Sequence, residues 1–273
     1  MSRSDNTWLV FLLLAAGAAA GVWYYWSQIS RPATEAIAVP PQEEPAEIVP
    51  RTGPVHPLEP MEATSSDSGQ LVPLPPLDDL DAYLRLELVN IFGDTLDTLL
   101  AGEMLIERIV TTVDNLPRSH VAERIRPVGR LPGVFTVDKG RENDALVLSP
   151  TNYDRYALLI DIVEFANLDD VIDAYRRYYP LYQKAYVELG YPDGYFNDRV
   201  VEVIDHLLAT PVPDQPIQLT RPHVLYEYAD ADLEALSSGQ KLLLRMGDDQ
   251  AARLKMILAE LRARVASSDV DSL

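Results

Sequence analysis

Between Trp8 and Trp26 the chain runs WLVFLLLAAGAAAGVWYYW without a single charge. A helix of that length is about 29 Å long and just spans the hydrocarbon core of a bilayer. Trp8 at one end and Trp23, Tyr24, Tyr25 and Trp26 at the other resemble the aromatic belts of membrane interfaces. The stretch therefore predicts a transmembrane anchor over 8–26, preceded by a short tail over 1–7. A cleaved signal peptide competes, because Ala18 and Ala20 form an A-x-A-like pattern. Cleavage there would leave a bulky aromatic cluster at the new terminus, so the anchor is preferred. Arg3 lies close to the span, and the segment after it is long and acidic. This places the N-terminus in the cytoplasm and the bulk of the chain outside.

Residues 27–73 hold nine prolines, an acidic excess and few large apolar side chains. Such a composition cannot bury enough surface to offset the entropy of ordering, so it reads as a disordered linker. As a coil it reaches on the order of 40 Å, and as extended polyproline about 140 Å. The region 74–266 is long enough for one sizeable core, and 267–273 is a tail. The net charge of −19 repels phosphate backbones, which argues against nucleic acid as a partner. The absence of cysteine excludes disulfides, thiolate metal sites and cysteine nucleophiles.

Apolar spacing in the folded part is helical. Asp78 or Asp79 caps a run whose Leu80, Tyr83, Leu84, Leu88 and Ile91 share a face, with Gly93 as its stop. A second helical run, DTLDTLLAGEMLIERIVTTVDNLP, ends at Pro117. GVFTVDKGRENDALVLSP predicts a small β-hairpin. Ser149 and Pro150 open the next helix as N-cap and first residue. After Asn167 comes a long helix that Pro180 should kink or divide. Asn197 caps another, which Pro211 terminates. Residues 211–228 hold four prolines and read as extended or irregular. Asp230, the Ser237–Gln240 capping box and Asp248 then start three further helices, with Gly247 stopping the second. The expected fold is mainly α: about seven helices with one small β-hairpin.

The common catalytic signatures are missing: no G-x-S-x-G, no phosphate-binding glycine loop and no H-E-x-x-H. His56 lies in the linker, and His120, His206 and His223 lack ligand-like spacing, so neither a metal nor a cofactor is expected. Four features remain. Asp198, Glu202 and His206 line up at intervals of four, as a general acid–base set would, or an ordinary exposed helix face. Tyr175, Tyr178, Tyr179, Tyr182 and Tyr186 lie along one side of a helix. Their rings suit sugar stacking, with Tyr178 and Tyr182 as binding candidates, though helical periodicity is also what a core stripe demands. RSHVAERIRPVGR carries Arg118, Arg124, Arg126 and Arg130 against the prevailing charge; these either grip an acidic partner or pair with the chain's own acids. Last, YPDGYFNDR over 191–199 has the look of a site, yet it also reads as a type I turn between helices. Asp193 and Arg199 are the residues that reading leaves open, and both are expected mostly to fasten the corner.

TVDNLPR at 112–118, ELGYPDGYFNDRVVEVIDHLLATP at 188–211 and DLEALSSGQKLLLRMG at 232–247 resemble the uncharacterised bacterial family known as domain of unknown function 3014. The resemblance covers roughly 75–264. It implies a Gram-negative envelope protein with one N-terminal span, a proline-rich tether and then the domain, and it brings no activity or ligand. The expectation is a single-pass inner-membrane protein whose periplasmic domain binds another envelope component. The alternatives are a peptidoglycan- or glycan-binding module using the tyrosine stripe, and a hydrolase centred on Glu202 and His206.

Overall fold

A computed structural model of the chain describes residues 53–58, 80–140, 145–214 and 216–266. The anchor expected over 8–26, both tails and the rest of the linker lie outside the described residues. No described helix is long and apolar enough to cross a membrane.

Leu80–Phe92 forms α1, stopped as expected by Gly93 in the left-handed region. The helical run expected over 94–117 is broken. A single turn, α2 (Asp94–Asp97), precedes a loop, and α3 (Leu105–Asn115) begins anew. Tertiary contacts cause the break. The Ala101 N–H donates to Pro127 O and the Gly129 N–H to Leu99 O, so the loop pairs with residues 127–129 rather than with its own next turn. The Asp81 carboxylate on α1 then accepts from the Met104 and Leu105 N–H groups, satisfying two of the free donors at the start of α3.

The expected hairpin is present, with β1 (Val137–Lys139) antiparallel to β2 (Leu146–Leu148). It does not stand alone. Within 211–228, β3 (Gln218–Thr220) and β4 (Glu227–Tyr228) extend it to a sheet of order β1-β2-β3-β4. The prolines mask a period-2 signal: Ile217, Leu219 and Tyr228 turn inward onto Leu148 and Leu244.

Four long helices supply most of the core: α4 (Asp154–Phe165), α5 (Leu168–Glu188), α6 (Phe196–Leu208) and α9 (Asp248–Ala266). Between α6 and α9 lie the short α7 (Ala231–Ala235) and α8 (Ser238–Met246), the latter with the predicted capping box. Nine α-helices are thus present among the described residues, seven of them longer than two turns. Ser149 sits at an N-cap position but does not cap by its side chain; its Oγ donates to Asp138 instead. A 3-10 turn over Pro150–Asn152 comes before α4. Pro180 does not divide α5. It lies on the exposed side, while Tyr178, Tyr179, Tyr182, Ala185 and Tyr186 bury the other, and that packing outweighs the missing backbone bond.

The α5 tyrosines fill a core between α1, α3 and α6, together with Leu84, Leu105, Val110 and Phe196. A second cluster joins Tyr156 and Ile160 of α4 to Val203 and Leu207 of α6 and Leu243 and Met246 of α8. Gly247, at φ 80°, turns the chain between α8 and α9, and a Cβ there would lie 2.7 Å from the Tyr153 ring. Gly247→Ala should therefore destabilise the domain by roughly 2 kcal/mol, from backbone strain and overlap together. A midpoint of urea unfolding unchanged from the parent chain would contradict this.

Candidate functional site

The corner between α5 and α6 is built as a turn. The Gly194 N–H donates to Tyr191 O at 3.1 Å, closing the type I turn with Pro192 second. Gln183 of α5 fixes it in place: its Nε2 donates to Gly194 O at 2.7 Å and its Oε1 accepts from the Phe196 N–H at 2.8 Å. The Tyr191 ring stacks on Tyr186 at 4.6 Å, and Phe196 packs against Tyr182 and Tyr186.

Arg199 is consumed by this corner. Its Nε donates to Asp114 Oδ1 at 3.1 Å, its second terminal nitrogen to Asp114 O at 2.8 Å, and its first pairs with Glu202 at 2.8 Å. Burial opposes the charge, yet the Glu202 and Asp114 carboxylates hold the guanidinium above its ordinary range. Asp114 is only 2% exposed and also accepts from Arg118 at 2.7 Å and from the Tyr191 hydroxyl at 3.2 Å. Asp193, by contrast, is exposed on the turn, away from this network.

Asn197 is not a cap. The helix starts one residue earlier, and Asn197 is fully buried with its amide oxygen and nitrogen both engaged inside the fold. Its Nδ2 donates to His56 O and to Val265 O, each at 2.9 Å, and its Oδ1 accepts from the Tyr175 hydroxyl at 3.1 Å. Asp198 accepts from the Val55 and His56 N–H groups at 2.8 and 2.7 Å. Residues 53–58, which composition assigns to the linker, thus lie on the head of α6.

The acid–base set is not assembled. Asp198 is occupied by these amides, Glu202 by Arg199, and His206 Nε2 is hydrogen-bonded to the buried Ser237 Oγ at 2.8 Å. None of the three lines either of two clefts in the described residues. One, of about 520 Å³, lies between the 150–152 turn and the start of α9, with Tyr153, Asp248 and Asp249 in its wall. The other, of about 70 Å³, is apolar and sits beside Lys255.

In the arginine-rich loop, Arg118 pairs with Asp114 and Arg130 with Glu123, while Arg126 donates to Val121 O. Arg124 is exposed. Glu123 is held below the usual carboxylate range by Arg130, first through the hydrogen bond and then through its charge. Tyr178 and Tyr182 are buried, and burial pushes the Tyr182 hydroxyl well up. The Tyr182 ring faces other rings, stacking on Tyr175, which in turn meets Tyr179 edge-on.

Three features go beyond the sequence reading. Gln183 carries no pattern that marks it. Asp114 does: it continues the buried face Ile106, Val110 at the next i+4 position, where an acid must be paired. The third is a surface. The Phe135 and Tyr226 rings meet at 5.8 Å, bringing together two loops that expose Val134 at 78%, Val224 at 78% and Leu225 at 75%. Arg221 lies over the Tyr226 ring at 5.2 Å.

No curated protein and no solved structure matches this chain. Residues 105–262, from the start of α3 to near the end of α9, match the family model described as protein of unknown function (DUF3014), and the chain belongs to that family.

Proposed function

We propose that the chain is a membrane-anchored binding module of the bacterial envelope. In this reading residues 8–26 hold it in the inner membrane, the N-terminus is cytoplasmic and the helical domain is periplasmic. The domain contacts another envelope component through the loops around Phe135 and Tyr226. The observation that carries the reading is the grouping of Val134, Val224 and Leu225, exposed at 78%, 78% and 75%, on the two loops that this aromatic pair joins. Apolar groups clustered in this way, rimmed by polar ones, mark contact surfaces. A photo-crosslinker at Val134 should give a discrete adduct in intact cells. Val224→Asp with Leu225→Asp should abolish it, and a crosslinker at Met256 should not reproduce it. Equal labelling from both positions would sink the proposal.

A glycan-binding reading draws on the same place. The α5 tyrosines named as candidates are buried, whereas Phe135 and Tyr226 form an exposed aromatic pair with the Arg221 guanidinium beside it. Cosedimentation with purified peptidoglycan separates the two. Binding that Tyr226→Ala removes supports the glycan, and no pelleting leaves the protein partner.

A further inference from the structure

The head of α6 holds a feature that neither an anchor nor the apolar loops require. Residues 53–58 read GPVHPL, and they lie on the domain more than 140 residues away from their partners. The two Asp198 oxygens take the successive N–H groups of Val55 and His56, and Asn197 donates to the His56 carbonyl. Pro57 has no N–H to satisfy, and it biases His56 toward the extended form. Leu58 then enters the core cluster of Leu84, Leu105, Tyr178, Tyr179 and Phe196. Every hydrogen bond the segment makes to α6 uses its backbone. The only side chain it buries is that of Leu58.

We infer that the head of α6 is a peptide-docking site filled in cis by residues 53–58, and that this segment is a releasable latch on the tether. What the site reads is an extended backbone offering two adjacent donors and one acceptor, then proline, then an apolar side chain. Such a pattern places few demands on sequence, as in other extended-peptide recognition. Occupancy depends on the high local concentration that attachment provides. Three hydrogen bonds and one buried side chain stand against the ordering of six residues, two of them prolines already restricted. The favourable terms exceed the ordering cost by a small margin, so the latch is mostly closed yet opens without unfolding the domain.

The test uses the full chain in detergent, with residues 53–58 replaced by a Gly/Ser segment to empty the site. A fluorescent peptide of residues 51–60 should bind this chain, as read by anisotropy. It should bind the parent chain at least tenfold more weakly, because the cis segment competes. Asp198→Ala in the emptied chain should abolish binding. Equal binding to both chains, or none to either, overturns the inference. Independently, hydrogen exchange at the Val55 and His56 amides should be slow in the parent chain. It should rise at least tenfold in Asp198→Ala, while α5 stays protected; rates equal to those of the free peptide in the parent chain would also overturn it. Because neither readout involves a membrane or the apolar loops, failure here leaves the binding-module proposal standing.

Discussion

Asp114→Ala is expected to destabilise the domain by about 3 kcal/mol, measured as a lowered urea midpoint at unchanged slope. The carboxylate is the buried acid that receives Arg199, and it also receives Arg118 and the Tyr191 hydroxyl. Removing one partner of a buried pair leaves the other charge without its counterpart, and this costs more than the pair itself contributes. Two facts hold the effect to the lower end of that range. The Arg199 side chain keeps 17% of its exposure, and it retains Glu202, whose own side chain is 68% exposed. Asp114→Asn, which keeps an acceptor but not the charge, should lose less than the alanine variant. Glu202→Ala should lose under about 1 kcal/mol, because that side of the pair is solvated. If Asp114→Ala and Glu202→Ala cost the same, Asp114 is not what fastens the corner.

The same residues show how far a sequence carries. YPDGYFNDR is legible as a turn because its signals are local: proline second, glycine fourth, and aromatics on either side. The capping box at Ser237 and the stops at Gly93 and Gly247 are local too, and each stands where the pattern places it. Asn197 misleads for the opposite reason. An asparagine at a helix start is a good cap in isolation, but the partners that claim its side chain are at positions 56, 175 and 265. The break in the run over 94–117 likewise depends on residues 127–129 and on Asp81, which no window of that run contains. The tyrosine stripe is legible as a stripe, and its burial follows from what packs against it rather than from its own spacing. The apolar loops around Phe135 and Tyr226 carry no such signal, since 134–135 and 224–226 are far apart in sequence and become neighbours only in the folded chain. The carboxylates and histidine that spacing aligns are each taken by a structural partner, which spacing alone does not reveal.

Asn197→Ala is expected to cost about 3–4 kcal/mol, a loss comparable with that of Asp114 but spread over three parts of the fold. The side chain is fully buried, so no water replaces it. Its removal leaves the Val265 carbonyl without this donor and the Tyr175 hydroxyl without its acceptor, each a desolvated polar group that costs on the order of 1–3 kcal/mol unmade. The His56 carbonyl also loses its donor, but it lies nearer solvent and loses less. Because those partners belong to α5, to the last turn of α9 and to residues 53–58, the loss should be visible in all three by hydrogen exchange. A destabilisation seen only at 53–58 would make Asn197 a latch residue alone. Asn197→Asp should be worse than alanine: it presents an oxygen to the Val265 carbonyl and buries a charge with no cation beside it. The ordering of the three chains, parent above alanine above aspartate, follows from the direction of the hydrogen bonds. An aspartate variant as stable as the parent would mean that the amide is not donating to these carbonyls.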